Sequence, residues 1–313
     1  MLAEITITPW HWAGFIVCVL IFLALDLGVF HRHAHVVRFR EALIWTGIWF
    51  AVAMLFAAGL WHWKNPDDAT NFVTGYLLEL SLSMDNVFVI ALLFTYFKVP
   101  SPLQHRVLFW GIIGALVMRG FMIGIGAALV AHFHWVLYIF GAFILFSGVK
   151  MLFASESGVD PEHNFVLRTA RRFFPVSQNF EGEKFFTTLN GRRALTPLAL
   201  VLIMVETTDL VFALDSIPAI FGVTQKPFIV FTSNVFAILG LRSLYFVLAN
   251  AIDYFRFLKY GLALVLVFIG AKMLTEKWID IPTMLSLGIV VGIILLSVVL
   301  SVVLTRRNHP PAS

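Results

Sequence analysis

Charged side chains are scarce in this sequence. Asp, Glu, Lys and Arg make up 13% of its 313 residues, whereas a soluble globular domain carries about 25%. This scarcity excludes an ordinary soluble domain. Apolar residues make up 60% of the chain, and its mean hydropathy is +0.89. The composition therefore predicts a polytopic membrane protein.

Cysteine and the common catalytic motifs are scarce as well. The single cysteine, Cys18, excludes an intrachain disulfide framework and a cysteine-ligated metal cluster. The sequence has no glycine-rich phosphate loop, no motif of a Ser–His–Asp hydrolase and no HExxH motif. Its Lys and Arg do not form the basic patch typical of nucleic-acid binding. We therefore expect no enzyme, no permanently bound cofactor and no nucleic-acid partner.

Long apolar runs predict an all-α fold of about nine transmembrane helices, each near the length that crosses about 30 Å of hydrocarbon. The runs lie at 10–30, 44–63, 72–97, 107–130, 135–153, 197–222, 228–250, 259–275 and 281–304. No Lys or Arg precedes the first run, which is also longer than the apolar core of a signal peptide. We therefore expect a retained first helix.

Lys and Arg are concentrated in alternate connections between these helices. The basic segments are 31–42, 98–106, 154–196 and the C-terminal tail. Counting helices places all four on one side, which the positive-inside rule assigns to the cytoplasm. The turn at 272–280 is an exception, with two lysines against two acidic residues. We expect an N-terminus outside and a C-terminus in the cytoplasm.

The chain repeats itself. "DNVFVIALLFTYFKV" from Asp85 aligns without a gap with "DLVFALDSIPAIFGV" from Asp209, and small adjustments then align Arg119 with Arg242 and "SGVKML" with "IGAKML". Each copy holds three helices, so the second must enter the membrane from the opposite face. This is the inverted repeat common in secondary transporters.

The predicted organisation follows from the repeat. It comprises two helices in 1–66, the first repeat in 72–153, a cytoplasmic linker in 154–196, the second repeat in 197–275, and a last helix with a basic tail in 281–313. Within the linker, "NFEGEKFFTTLNGRRALTP" is compatible with a short hairpin.

Seven charged residues lie within the predicted helices of the two repeats, near the midplane. They are the acids Glu79, Asp85, Glu206, Asp209 and Asp215 and the bases Arg119 and Arg242. A charge at the helix centre costs about 2.5–3.5 kcal/mol, so these residues must face one another or a polar cavity. Two arginines neutralise two of the five acids. The surplus favours a cation site or proton path over a purely structural network.

The donor types around the acids restrict the cation. The acids, Asn86 and several hydroxyls supply oxygen ligands, and the acidic helices contain no His or Cys. This argues against zinc and copper and suits magnesium, calcium or manganese. Met84 and Met204 offer thioethers that favour manganese, although packing is the commoner role of such a Met.

The spacing of the acids sets a geometric condition. Asp209 and Asp215 are six residues apart, about 120° around an ideal helix. They converge only if the helix is locally unwound. Pro218 predicts such a break, because it leaves the carbonyl of Leu214 without a donor. Backbone breaks at membrane depth are tolerated where they line a cavity.

Four motifs resemble the TerC family of bacterial membrane proteins, in particular its Alx-like branch. They are "ELSLSMDNVFV" (79–89), "VETTDLVFALDSIPAIF" (205–221), "SNVFAILGLRSLYF" (233–246) and "YGLALVLVFIGAKML" (260–274). The resemblance implies a manganese exporter of the inner membrane. It also implies a metal site at Glu79, Asp85, Asn86, Glu206, Asp209 and Asp215.

Two functions are compatible with these observations. The first is export of a divalent cation, Mn²⁺ as substrate, coupled to protons, with Arg119 and Arg242 as charge tethers of the empty site. The alternative is a membrane scaffold or assembly factor with a structural ion network, in which loop 154–196 binds a protein partner.

Overall fold

The computed structural model describes residues 7–28, 39–153, 165–189, 191–249, 258–279 and 281–308. These residues form ten α-helices and one two-stranded sheet. The helices are α1 Pro9–Gly28, α2 Phe39–Trp63, α3 Pro66–Tyr96, α4 Ser101–His132, α5 Val136–Phe153, α6 Phe165–Phe173, α7 Pro197–Phe221, α8 Pro227–Ala249, α9 Leu258–Thr275 and α10 Thr283–Asn308; the strands are β1 Phe186–Leu189 and β2 Arg192–Leu195. Parts of the predicted basic loops, at 29–38 and 154–164, and the end of the tail lie outside the described residues.

The prediction of an all-α polytopic membrane protein is confirmed. Each of the nine predicted membrane helices corresponds to a helix, and among the described residues eight are long and apolar enough to cross a membrane. The apolar part of α1, Pro9–Ala24, is shorter than these. Several helices begin earlier than their apolar runs, because polar first turns are also helical. In α3, the Asn65 side chain caps the helix by accepting a hydrogen bond from the Asp68 backbone N–H at 2.7 Å.

The predicted break at Pro218 is wrong. The α7 helix continues through Pro218 to Phe221. Pro218 lies in the last turn, where the Gly222 N–H already bonds back to the Pro218 carbonyl at 3.1 Å. Pro218 removes one intrahelical hydrogen bond, the one to the Leu214 carbonyl, and a transmembrane helix tolerates such a loss without unwinding.

Two pairs of parallel helices pack against each other in the bundle. The α3 helix runs parallel to α8, since the starts of both helices share one buried apolar cluster and their ends share another. The α4 helix runs parallel to α7 in the same way. The α3 and α7 helices, which are equivalent in the predicted repeat, run in opposite directions.

The α5 and α9 helices cross with their backbones in contact. A Cβ atom at Gly148 would lie 2.9 Å from the Ala263 carbonyl oxygen, and one at Gly270 would lie 2.8 Å from the Gly141 carbonyl oxygen. The alignment of "SGVKML" with "IGAKML" matches Gly148 with Gly270, and the same interval separates Gly141 from Ala263. The contact between α5 and α9 is therefore unchanged when the two predicted repeats are exchanged. The inverted repeat itself stays a prediction.

The hairpin compatible with the linker sequence is present. The β1 and β2 strands pair antiparallel with Leu189 opposite Arg192, and Gly191 in the two-residue turn has a φ of +78°. Thr196 then joins the hairpin to the membrane helix. Its hydroxyl donates to the Lys184 carbonyl at 2.7 Å and accepts from the Ala199 N–H at the start of α7. The linker is therefore folded against the bundle over its described part.

Candidate functional site

A guanidinium lies at the centre of the bundle. Arg119 on α4 is 2% exposed and donates to Asp209 on α7, from Nη2 to Oδ1 at 2.8 Å and from Nε to Oδ2 at 3.2 Å. Its Nη1 atom also pairs with Oε1 of Glu79 on α3. Both acids are buried. Arg119 thus connects α3, α4 and α7 and neutralises one of the two negative charges.

Asn86 connects α3 and α7 a second time. Its Nδ2 atom donates to Oδ1 of Asp209 at 2.7 Å. Its Oδ1 atom is buried and has no hydrogen-bond partner among the described residues. A buried oxygen acceptor without a donor costs free energy unless a ligand satisfies it. This atom is therefore available to a cation or a water.

Neutral side chains complete the surroundings of Arg119. Asn234 on α8 accepts from Arg119 Nη1 at 2.9 Å and donates to Oε2 of Glu79 at 3.3 Å. Ser83 donates to Oε1 of Glu79 at 3.2 Å, and Ser216 accepts from Arg119 Nη1 at 3.4 Å. All three neutral residues are buried. Four helices thus contribute to one polar network with a surplus of one negative charge.

The other three predicted ligands lie outside this network. Asp85, Glu206 and Asp215 are half-buried. The Asp215 carboxylate accepts from the Ser147 hydroxyl on α5 at 2.7 Å, and the Glu206 carboxylate lies against Gly114 on α4. At about 1.5 Å per residue, Asp215 is about 9 Å along α7 from Asp209.

The six predicted metal ligands therefore do not converge in this conformation. In the part of the chain that the structure describes, no group of three or more His, Cys, Asp or Glu is close enough to hold a metal ion. The reason is the continuous helical geometry of α3 and α7, which keeps acids six residues apart on different faces. Of the predicted ligands, Glu79, Asn86 and Asp209 meet, and Arg119 lies where they meet.

The two predicted tethers lie at different places in the bundle. Arg119 forms the ion pairs to Glu79 and Asp209. Arg242 is also buried, on α8. It lies eight residues beyond Asn234, about 12 Å along the helix.

Sequence reasoning missed Asn234 and Asp68. Asn234 is a polar residue in an apolar helix, and the sequence alone does not indicate that it contacts Arg119. Asp68 lies between the predicted helices 44–63 and 72–97, but in the structure it is fully buried in the first turn of α3. Its carboxylate binds the Lys226 ammonium at 2.6 Å and lies 3.8 Å from that of Lys64.

Known proteins are similar to this chain over almost its whole length. Residues 64–309 match the family described as "Integral membrane protein TerC family". An uncharacterized membrane protein of Myxococcus xanthus is 50% identical over 306 residues, which cover 98% of this chain and 95% of the relative. A protein of Escherichia coli K12 named Alx, provisionally a membrane-bound redox modulator, is 46% identical over 312 residues, covering 96% of this chain and 97% of that protein. No solved structure matches the chain. The chain belongs to the TerC family of integral membrane proteins.

Proposed function

We propose that this protein exports a divalent cation across the bacterial inner membrane, with Mn²⁺ as substrate and protons as the counter-ion. One observation carries the proposal. Glu79 and Asp209, from two different helices, are held together at the centre of the bundle by the positive charge of Arg119. A buried pair of carboxylates that requires a cation between them is a site that a transported cation can occupy in turn.

The ligands around Arg119 suit a hard divalent ion. When the guanidinium withdraws, it leaves the carboxylates of Glu79 and Asp209 and the unpartnered Oδ1 of Asn86. Oxygen donors of this kind bind magnesium, calcium and manganese rather than zinc or copper. Asp85, Glu206 and Asp215 would reach the ion only in another conformation, so the metal site of all six residues is part of the proposal.

Proton coupling follows from the charges. Arg119 cannot release its proton, so it exchanges with the metal ion but does not carry the transported proton. The carboxylates can bind either a metal ion or a proton. Because the two compete for the same oxygens, binding of one on one side of the membrane favours release of the other.

The helix packing supports alternating access. Exchange of the predicted repeats converts the pair of α3 with α8 into the pair of α7 with α4, and it leaves the pair of α5 with α9 unchanged. In transporters with inverted repeats, the site lies where the repeats meet and opens alternately to the two sides. Glu79 and Asp209 are contributed by different predicted repeats, as this mechanism requires.

A redox role would need different chemistry. The relatives named Alx are provisionally described as redox modulators, but this chain has a single cysteine and cannot form an intrachain disulfide. A redox role of this chain could therefore not rest on an intrachain thiol pair.

Purified protein in liposomes tests the proposal. With an imposed pH gradient, we expect Mn²⁺ to accumulate in liposomes that contain the wild type and not in empty ones. Asp209→Asn should abolish accumulation, because it removes a ligand while preserving shape. Glu276→Gln, at an exposed position after α9, is the control and should behave as wild type. Wild-type liposomes that accumulate no more Mn²⁺ than empty liposomes would contradict the proposal.

One observation favours the scaffold alternative. Arg119 has hydrogen-bond or ion-pair partners on three other helices, as expected of a purely structural network. The scaffold alternative makes the opposite prediction in cells. Asp209→Asn would spare the phenotype, and deletion of the hairpin formed by β1 and β2 would abolish it. For the exporter we expect Asp209→Asn to abolish metal tolerance and the hairpin deletion to lower it only in proportion to protein level.

A further inference from the structure

Glu206 has a carboxylate unlike those of Glu79 and Asp209. It is half-buried on α7, one turn before Asp209. Among the described residues its carboxylate takes part in no hydrogen bond or ion pair. Asp209 is instead neutralised by Arg119. A cation can therefore reach Glu206 without first displacing another positive charge.

The position of this carboxylate is set by a glycine. If a Cβ atom were added at Gly114 on α4, its nearest neighbours would be the two carboxylate oxygens of Glu206 and the carbon between them, all in severe overlap. One turn earlier, a Cβ atom at Gly111 would lie 3.3 Å from Cγ1 of Val205. Small residues of this kind let two membrane helices approach closely. At Gly114 the space is occupied by a charged group rather than by an apolar one.

We propose that Gly114 is a positioning residue for the transported cation. The absent side chain leaves a recess on α4 that holds the Glu206 carboxylate one turn from Asp209, about 4.5 Å along α7. There it is the first ligand that a divalent cation meets before the ion replaces Arg119 at Asp209. The inference rests on the proposed function and adds the residue that determines where the cation loads.

The simpler interpretation is that Gly114 only permits close helix packing. In that case a side chain at 114 would be harmful whatever residue stands at 206. If Gly114 positions the carboxylate, its effect depends on the length of the acid at 206. The two interpretations are therefore separated by changing both positions together.

The first measurement is the kinetics of Mn²⁺ uptake into liposomes. Gly114→Ala should raise KM by about tenfold and leave kcat within about twofold of the wild-type value. A displacement of about 1 Å in a site can lower activity about 100-fold, so a tenfold effect is a moderate expectation. A loss confined to KM indicates weaker substrate binding. Gly124→Ala is the matched control on the same helix, because nothing lies within 4 Å of a Cβ atom there. It should leave KM and kcat unchanged.

The second measurement is rescue by a shorter acid. Glu206→Asp alone should raise KM, because it withdraws the carboxylate by one methylene. In the Gly114→Ala background the same change should lower KM toward the wild-type value, because the carboxylate no longer meets the new methyl group. An effect of Glu206→Asp that has the same sign in both backgrounds would overturn the proposal.

Failure to fold is also informative. If Gly114→Ala is not recovered in the membrane, the double variant Gly114→Ala with Glu206→Ala should be recovered; if it is not, the clash is not with Glu206 and the proposal fails. This inference alone would be overturned if the wild type transports Mn²⁺ but Gly114→Ala has the same KM and kcat as Gly124→Ala. A wild type that transports no Mn²⁺ would overturn the proposed function and the inference with it.

Discussion

Arg119 forms ion pairs with Glu79 and Asp209, whereas Arg242 lies about 12 Å along α8 from the Asn234 of that network. We therefore expect substitutions of the two arginines to have different consequences. Arg119→Gln leaves the buried carboxylates of Glu79 and Asp209 without their cation, and loss of one partner of a buried pair costs about 3–5 kcal/mol. We expect a clear loss of folded protein in the membrane. Adding Asp209→Asn should restore much of that protein but no transport, because a ligand is now absent.

Arg242→Gln provides the comparison. It is expected to lower folded protein as well, because Arg242 is buried. If the tether prediction made for both arginines is correct, Asp209→Asn or Glu206→Gln should rescue it. From the distance along α8 we expect rescue by Asp209→Asn to be much weaker than for Arg119→Gln. The measurement is the amount of monodisperse protein extracted from membranes, and equal rescue of both variants would show that the two arginines share the site.

At the scale of the helices, the α5–α9 contact makes a prediction about the two matched glycines. Gly148→Ala and Gly270→Ala each force a methyl group against backbone atoms of the other helix, at 2.9 Å and 2.6 Å. Overpacking of this kind costs about 1–3 kcal/mol. Both variants should lower the Tm of the purified protein by similar amounts. Gly292→Ala on α10, where nothing lies within 4 Å, is the control and should leave Tm unchanged or raise it.

The helices themselves were predictable because hydrophobic length is a local property of the sequence. Apolar runs predicted every membrane helix, and the linker sequence was compatible with the hairpin that the structure contains. The polar first turn of α3, with Asn65 and Asp68, was not predicted, since apolar length says nothing about capped polar ends. Pro218 was misinterpreted because a proline removes one backbone hydrogen bond but need not break a transmembrane helix.

The candidate site was only partly predictable for a similar reason. The acids were recognisable because charges at membrane depth are rare. Which arginine meets them depends on which helices pack together, and the repeat makes Arg119 and Arg242 equivalent in sequence. Asn234, Gly114 and the Arg119 network depend on tertiary contacts between α3, α4, α7 and α8, which no local pattern specifies.

For the whole molecule, the predicted motion of one repeat against the other can be tested by locking α3 to α8. A Cβ atom at Gly75 would lie 3.2 Å from Cβ of Ser233, close to the separation of about 3.5–4.5 Å found in disulfides. In a Cys18→Ser background, Gly75→Cys with Ser233→Cys should therefore form a disulfide on oxidation. If export requires α3 and α8 to separate, oxidation should abolish Mn²⁺ uptake and a reductant should restore it in the same liposomes.

The comparison of oxidised with reduced protein removes the effect of packing, because both states carry the same substitutions. Ser233→Cys alone, in the Cys18→Ser background, controls for oxidation of a single thiol and should transport equally in both states. Mass spectrometry of the cross-linked peptide measures the fraction that is locked. Uptake that persists in fully cross-linked protein would mean that α3 and α8 move as one body. The opening between the repeats would then have to lie elsewhere. The next pair to lock would be α4 and α7, because these helices carry Arg119 and Asp209.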